Sequence, residues 1–114
     1  MDRDTAKNLL KRMVAWDQTP KLTDTDIESL LDMARRADTS GEPITSDDWV
    51  PTFNLNAAAA EGWRWKAAEV ANLTQFSADG ASYHDEQLLA HCTAMARQYA
   101  SRVAGTLSVS AYRG

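Results

Sequence analysis

Apolar positions recur at helical spacing along most of the chain, and that period sets the first expectation of fold. Ala6, Leu9, Leu10, Met13 and Val14 fall on one face of an amphipathic helix over residues 3–16. Pro20 ends it, because proline disfavours helical geometry in the residue before it. A second helix begins at Thr23 or Thr25, each followed three residues later by an acid, Asp26 or Glu28, as in a capping box. Glutamate is the usual partner there, which makes Thr25 the better match. The apolar positions of this helix are Ile27, Leu30, Leu31 and Ala34, with Met33 and Ala37 alongside. Arg35 and Arg36 in its last turn suit the negative end of the helix dipole.

The period then breaks. Residues 38–51 read as a loop punctuated by Gly41, Pro43 and Pro51, whose Ser and Asp side chains can bond locally to the backbone. Trp49 and Phe53 are expected to anchor this loop to the core. Asn54 or Asn56 caps a third helix over residues 55–73. Its interior Gly62 should cost about 1 kcal/mol relative to alanine, which is understandable where another helix approaches closely. The small residues 57–60 fit the same reading. Asp79-Gly80 is a turn signal between Phe76 and Tyr83 and predicts a very short hairpin. Ser82 with Asp85 is an imperfect capping box for a fourth helix, whose apolar stripe is Leu88, Cys92, Met95, Tyr99 and Val103. Gly105 is expected to terminate it. Residues 106–112 alternate polar and apolar and predict an extended strand, either disordered or paired with another subunit. The fold class is therefore all-α: a small bundle of about four helices with a long ordered loop, a turn or mini-hairpin near 76–83 and an extended C-terminal tail. Residues 1–19 form an N-terminal amphipathic helix, 22–103 a helical core and 104–114 the tail.

Composition narrows the function. The chain has 114 residues, 12 basic and 16 acidic, for a net charge of −4. Proteins that grip nucleic acid through its phosphates concentrate Lys and Arg, so tight general binding is disfavoured, though a local basic patch is compatible with these numbers. No apolar run approaches the ~20 residues of a membrane helix. The start, Met1-Asp2-Arg3-Asp4, lacks the apolar segment of a secretory signal. One cysteine, Cys92, rules out an internal disulfide and fits a reducing cytosol.

Candidate chemistry is sparse. His84 and His91 lie seven residues apart, about 10 Å along one helix, too far to share an ion, and no zinc-binding spacing is present, so no metal or cofactor is expected. Cys92 sits on an apolar stripe, where a thiol stays protonated. Asp47-Asp48 and Asp85-Glu86 read as solvent-facing or capping acids. No glycine-rich phosphate loop occurs, and an enzyme is not expected. The sharpest local feature is Trp63-Arg64-Trp65-Lys66. Residues two apart point about 200° away from each other on a helix. Trp63 shares a face with Ala59, Ala67 and Val70 and is the core candidate. Trp65 is left to pack under the long loop, on Trp49, or to anchor a contact between subunits, where tryptophan is enriched. The first helix, with Lys7, Lys11 and Arg12 opposite its apolar face, is expected to pack on the bundle or on a neighbouring protomer rather than on a membrane.

Several segments together resemble the small head-to-tail connector (head-tail adaptor) proteins of tailed bacteriophages, especially those of actinobacteria. The carrying segments are the helix from Leu22-Thr23-Asp24 through Arg36, and Trp49-Val50-Pro51-Thr52-Phe53-Asn54-Leu55-Asn56. Residues 57–66, Phe76-Ser77-Ala78-Asp79-Gly80, and the last helix with Met95-Ala96-Arg97 complete the set. The resemblance covers residues 22–102 and consists of packing and turn residues rather than a catalytic signature. It implies a helical protomer that assembles into a ring, commonly twelvefold, beneath the portal protein. Such a ring extends the DNA channel, lets DNA pass without specific binding, and docks the next tail-side connector or stopper protein. The implied location is the head-tail interface of the virion, with the host cytoplasm during assembly. Trp65, Leu107, Val109, Tyr112 and Arg113 are the interface candidates, the last four through the extended tail. The alternative is a small helical phage regulator or packaging factor that binds DNA. Against it, the last helix carries Arg97 and Arg102 but opens on Asp85-Glu86, where a recognition helix would meet the bases.

Overall fold

The computed structural model describes the backbone of residues 1–76 and 83–113, and the side chains of residues 1–72 and 85–103. Among the described residues it is all-α. Helix α1 spans Arg3–Met13, α2 Asp24–Met33, α3 Leu55–Phe76 and α4 Tyr83–Arg113. The expected mini-hairpin, with its Asp79-Gly80 turn, lies outside the described residues.

The starts of α1, α2 and α3 follow from their sequences, while the Ser82 cap expected for α4 lies outside the described residues. Asp2 caps α1, its carboxylate accepting the Thr5 N–H at 2.8 Å. At α2 the cap is Thr23, not the Thr25 that glutamate pairing favoured. The Thr23 hydroxyl accepts from the Asp26 N–H at 3.0 Å while the Asp26 carboxylate accepts from the Thr23 N–H at 2.9 Å. An aspartate is one methylene shorter than the usual glutamate, yet it closes the reciprocal pair here. Asn54 caps α3, its Oδ1 accepting from the Ala57 N–H at 3.1 Å.

α2 stops earlier than its arginines suggested. Ala34 is its C-cap, and Arg35 and Arg36 leave the helix to run beside residues 52–54. The Arg36 N–H donates to Thr52 O at 3.1 Å and the Asn54 N–H to Ala34 O at 2.9 Å, with an isolated bridge between Arg35 and Phe53. This strap joins the end of α2 to the start of α3.

The C-terminal segment differs from expectation. An extended tail from residue 104 was predicted; α4 instead continues through Arg113. Gly105 costs the helix only about 1 kcal/mol, and adding turns to a helix that is already formed avoids the nucleation cost that an isolated segment would meet. The period-2 alternation of residues 106–112 is therefore not expressed as a strand. Val103 lines the same cleft as Leu55 and Asn56 in the first turn of α3. The ten residues that follow remain helical through Arg113.

The core gathers residues from every helix. Ala6, Leu10 and Val14 from the α1 region meet Ile27, Leu30 and Leu31 of α2, Ala59 and Trp63 of α3, and Cys92 and Ala96 of α4. α1 thus belongs to the same core as the rest of the bundle. The close approach expected at Gly62 is present: a Cβ there would lie 2.7 Å from Val14 Cγ1 and 3.2 Å from Leu30 Cδ1.

Candidate functional site

The most chemically unusual group in the protein is Lys66, 1% exposed in the middle of α3. Its position depends on how α1 ends. Ala15 takes a left-handed φ of 47°. Its N–H donates to Arg12 O at 3.2 Å, and the Trp16 N–H donates to Lys11 O at 3.1 Å. Together these make a Schellman cap, built here on alanine where glycine is usual. The cap leaves the carbonyls of Met13, Val14 and Ala15 without partners from α1. Side chains of α3 supply them, and the Gln18 N–H adds a second donor to Ala15 O at 3.0 Å. Trp63 Nε1 donates to Met13 O at 3.0 Å, and Lys66 Nζ donates to Val14 O at 2.8 Å and Ala15 O at 2.7 Å.

Lys66 also lies over the Trp63 ring, its Nζ 4.4 Å from the centroid, where the ring quadrupole favours a cation. The negative end of α1 favours it again. Burial holds the Lys66 pKa below its usual value, opposed by the nearby Cys92, Asp17 and Glu69. Burial pushes the Cys92 thiol up, with the Lys66 ammonium pulling the other way. Among the described residues no buried side-chain nitrogen or oxygen lacks a hydrogen-bond partner. Lys66 therefore works as a clamp: a cation committed to two backbone carbonyls and closed off from solvent.

A second polar centre organises the long loop. The buried Asp38 carboxylate accepts three backbone N–H groups, from Ser40 and Glu42 on Oδ1 and from Val50 on Oδ2, each at 2.9 Å. These bonds hold its pKa below the usual carboxylate value, the Val50 bond contributing most. Trp49 Nε1 donates to Arg36 O at 2.8 Å, and its ring meets Phe53 edge-on at 6.1 Å. The two aromatic residues anchor the loop as their placement predicted.

A third centre is an ionic ladder between α1 and α2. Arg3 pairs with Glu28 and, at 3.0 Å, with Asp32. Lys7 bridges Asp24 and Glu28, each at 2.9 Å, and Lys11 reaches Asp24 at 3.1 Å. The basic side of α1 thus packs on the bundle.

The residues singled out from sequence fall as follows. Trp63 is core, 4% exposed, and His91 meets it edge-on at 5.4 Å while remaining exposed itself. Cys92 is fully buried. Trp65 is half-buried against the core, with Nε1 donating to Glu61 Oε1 at 3.1 Å. The ring beside Trp49 is Phe53. Leu107, Val109, Tyr112 and Arg113 ride on the last turns of α4, and their side chains, like that of His84, lie outside those described. Lys66 was missed as a core residue. Its signal was present, since Ala59, Trp63, Lys66 and Val70 share one helical stripe.

Among the described residues no three His, Cys, Asp or Glu side chains gather where they could hold a metal ion, and no helix is long and apolar enough to cross a membrane. The geometry defines a class: a four-helix all-α protein whose first helix is clamped to its third by a buried lysine and tryptophan. No protein-family model, curated protein or solved structure matches the chain.

Proposed function

We propose that this protein is a structural component of a tailed-bacteriophage virion. In this reading it forms a ring, twelvefold in the assembled particle, at the head-tail interface below the portal protein. The ring lengthens the DNA channel and docks the next tail-side protein. The observation that carries the reading is the resemblance of residues 22–102 to head-to-tail connectors. Two features support it. The sharpest aromatic and cationic cluster of the chain, Trp63 with Lys66, is consumed in holding α1 to α3, which suits an architectural protein. The net charge of −4 suits a channel wall past which DNA slides without sticking.

Interface candidates in this reading are Trp65 and the terminal turns of α4 that carry Leu107, Val109, Tyr112 and Arg113. Because these residues are helical, contact through them would be by helix packing rather than strand pairing. The test is mass determination by light scattering, alone and after mixing with a cognate portal protein. A ring, or stoichiometric recruitment onto the portal, is the expected outcome. A monomer or dimer indifferent to the portal would overturn the reading. Salt-sensitive binding to duplex DNA in the same preparation would favour a regulator or packaging factor instead.

A further inference from the structure

Two surface features of the protein complement each other. One is an open groove of about 290 Å³ between α3 and α4, lined by Ala67, Ala96, Ala100 and Thr93 together with Arg64 and Arg97. Arg64 is tied only to Glu61, three residues before it on the same exposed helix face, and Arg97 has no ion pair among the described residues. The other is the corner of the long loop. Ile44 and Val50 stand 40% and 56% exposed there, beside the exposed acids Asp47 and Asp48.

This tip is already rigid. Asp38 fixes Val50, the Trp49 N–H donates to Ser46 O at 3.2 Å, and the Asp48 N–H donates to Ser46 Oγ at 3.1 Å. A rigid element gives up little entropy when it docks. The corner is exposed, partly apolar and acidic; the groove is concave, lined mostly by alanine, and basic.

We propose that the 44–50 corner of one copy of this chain docks into the Arg64–Arg97 groove of the next. The inference rests on the ring reading above and names the contact that would build it. Because the two surfaces differ, the contact is head-to-tail, and copies joined this way close into a ring or grow as a filament. A corner and a single groove make a small interface, so each contact is weak alone and holds firmly once a ring closes or a template aligns the copies.

The experiment is sedimentation velocity over a concentration series at low and high salt, on wild type and two charge-reversal variants. Arg97→Glu leaves both groove and corner acidic, and Asp47→Arg with Asp48→Arg leaves both basic. All three side chains are exposed, so the fold is retained. Wild type is expected to self-associate, more weakly in salt. Each variant alone should associate about tenfold more weakly or worse. An equimolar mixture of the two should recover association, since every corner then meets a groove of opposite charge. Wild type that stays monomeric throughout, variants that associate like wild type, or a mixture that gains nothing would each overturn the contact. The last two results, with portal recruitment intact, would leave the connector reading standing. Arg97→Glu losing affinity for added duplex DNA while wild type remains monomeric would overturn the contact and identify the groove as a phosphate site.

Discussion

α1 is held to the bundle by two regions that work on different physics. At its C-terminal end, Lys66 and Trp63 reach from α3 to three backbone carbonyls, and the Lys66 bond to Val14 O is buried. Along its side, Arg3, Lys7 and Lys11 face Asp24, Glu28 and Asp32 of α2 across an ionic ladder open to solvent. The ladder has more charges and more contacts, but water and salt screen it, and exposed ion pairs contribute little on average. The clamp has one charge, and Val14 O, buried beside it, depends on that charge for its hydrogen bond. Counting interactions would rank these regions in the wrong order; asking what each group loses when its partner is removed ranks them correctly.

The comparison breaks first if the clamp is dispensable. Lys66→Met keeps the apolar stem and deletes the ammonium, leaving Val14 O buried without a donor, while Ala15 O keeps the Gln18 N–H at 3.0 Å. A buried ion pair can often be replaced whole by apolar groups, but here the partners are backbone and stay behind. The expected loss is about 1–3 kcal/mol of unfolding free energy by denaturant titration. Native-state labelling of the buried Cys92 by a thiol reagent should accelerate alongside it, because α1 and α4 share one core. A variant within about 0.5 kcal/mol of wild type would mean that water reaches Val14 O, contradicting its burial.

Next in size is the seam beneath the clamp. Gly62→Ala gains up to about 1 kcal/mol of helix propensity and would be stabilising on an open helix face. Here the added methyl meets Val14 Cγ1 at 2.7 Å, and Val14 is fully buried and cannot swing aside. Overpacking should outweigh propensity, for a net destabilisation of about 1–2 kcal/mol. A melting temperature at or above that of wild type would show that α1 shifts to make room, and that the clamp is more compliant than its hydrogen bonds suggest.

How much of this was legible in the sequence depended on whether a residue obeys or breaks its pattern. The apolar stripes containing Leu10, Leu30, Trp63 and Cys92 named the core because period and burial agree. Gly62 was legible for the opposite reason, as a helix-weakening residue where only a close neighbour explains it. Lys66 was hidden although it lies on the Trp63 stripe, because a charge is ordinarily solvated and its acceptors exist only once Ala15 turns α1 off. The choice of Thr23 over Thr25 turned on one methylene of the capping acid. Residues 106–112 misled because alternation is a weak signal beside a helix already running into them. Of the candidate surfaces, the groove was invisible, since Arg64 and Arg97 converge only through the packing of α3 on α4.

The finest resolution of the comparison comes from acid and salt together. Hydrogen bonds from Lys7 hold the carboxyl pKa values of Asp24 and Glu28 below their usual 3.8 and 4.5. Backbone N–H groups do the same for Asp38, whose usual value is also 3.8. A carboxyl whose pKa is lower folded than unfolded binds fewer protons in the native state. It stabilises fully above the unfolded value and loses that contribution as pH falls through the folded one. Stability should therefore be level from neutral pH down to about 4.5 and decline below it. Salt then separates the sources, because it screens the ladder and leaves the enclosed Asp38 bonds nearly untouched. At high salt the decline should be shallower, and what remains should belong mainly to Asp38. Asp38→Asn tests that remainder: its amide oxygen can still accept from Ser40 and Glu42, but its NH₂ would oppose the Val50 N–H. The variant should flatten the residual acid slope and lower the melting temperature at neutral pH. If high salt instead abolishes the whole slope in wild type, the loop's carboxylate is solvated like the ladder, and the rigid corner loses its foundation.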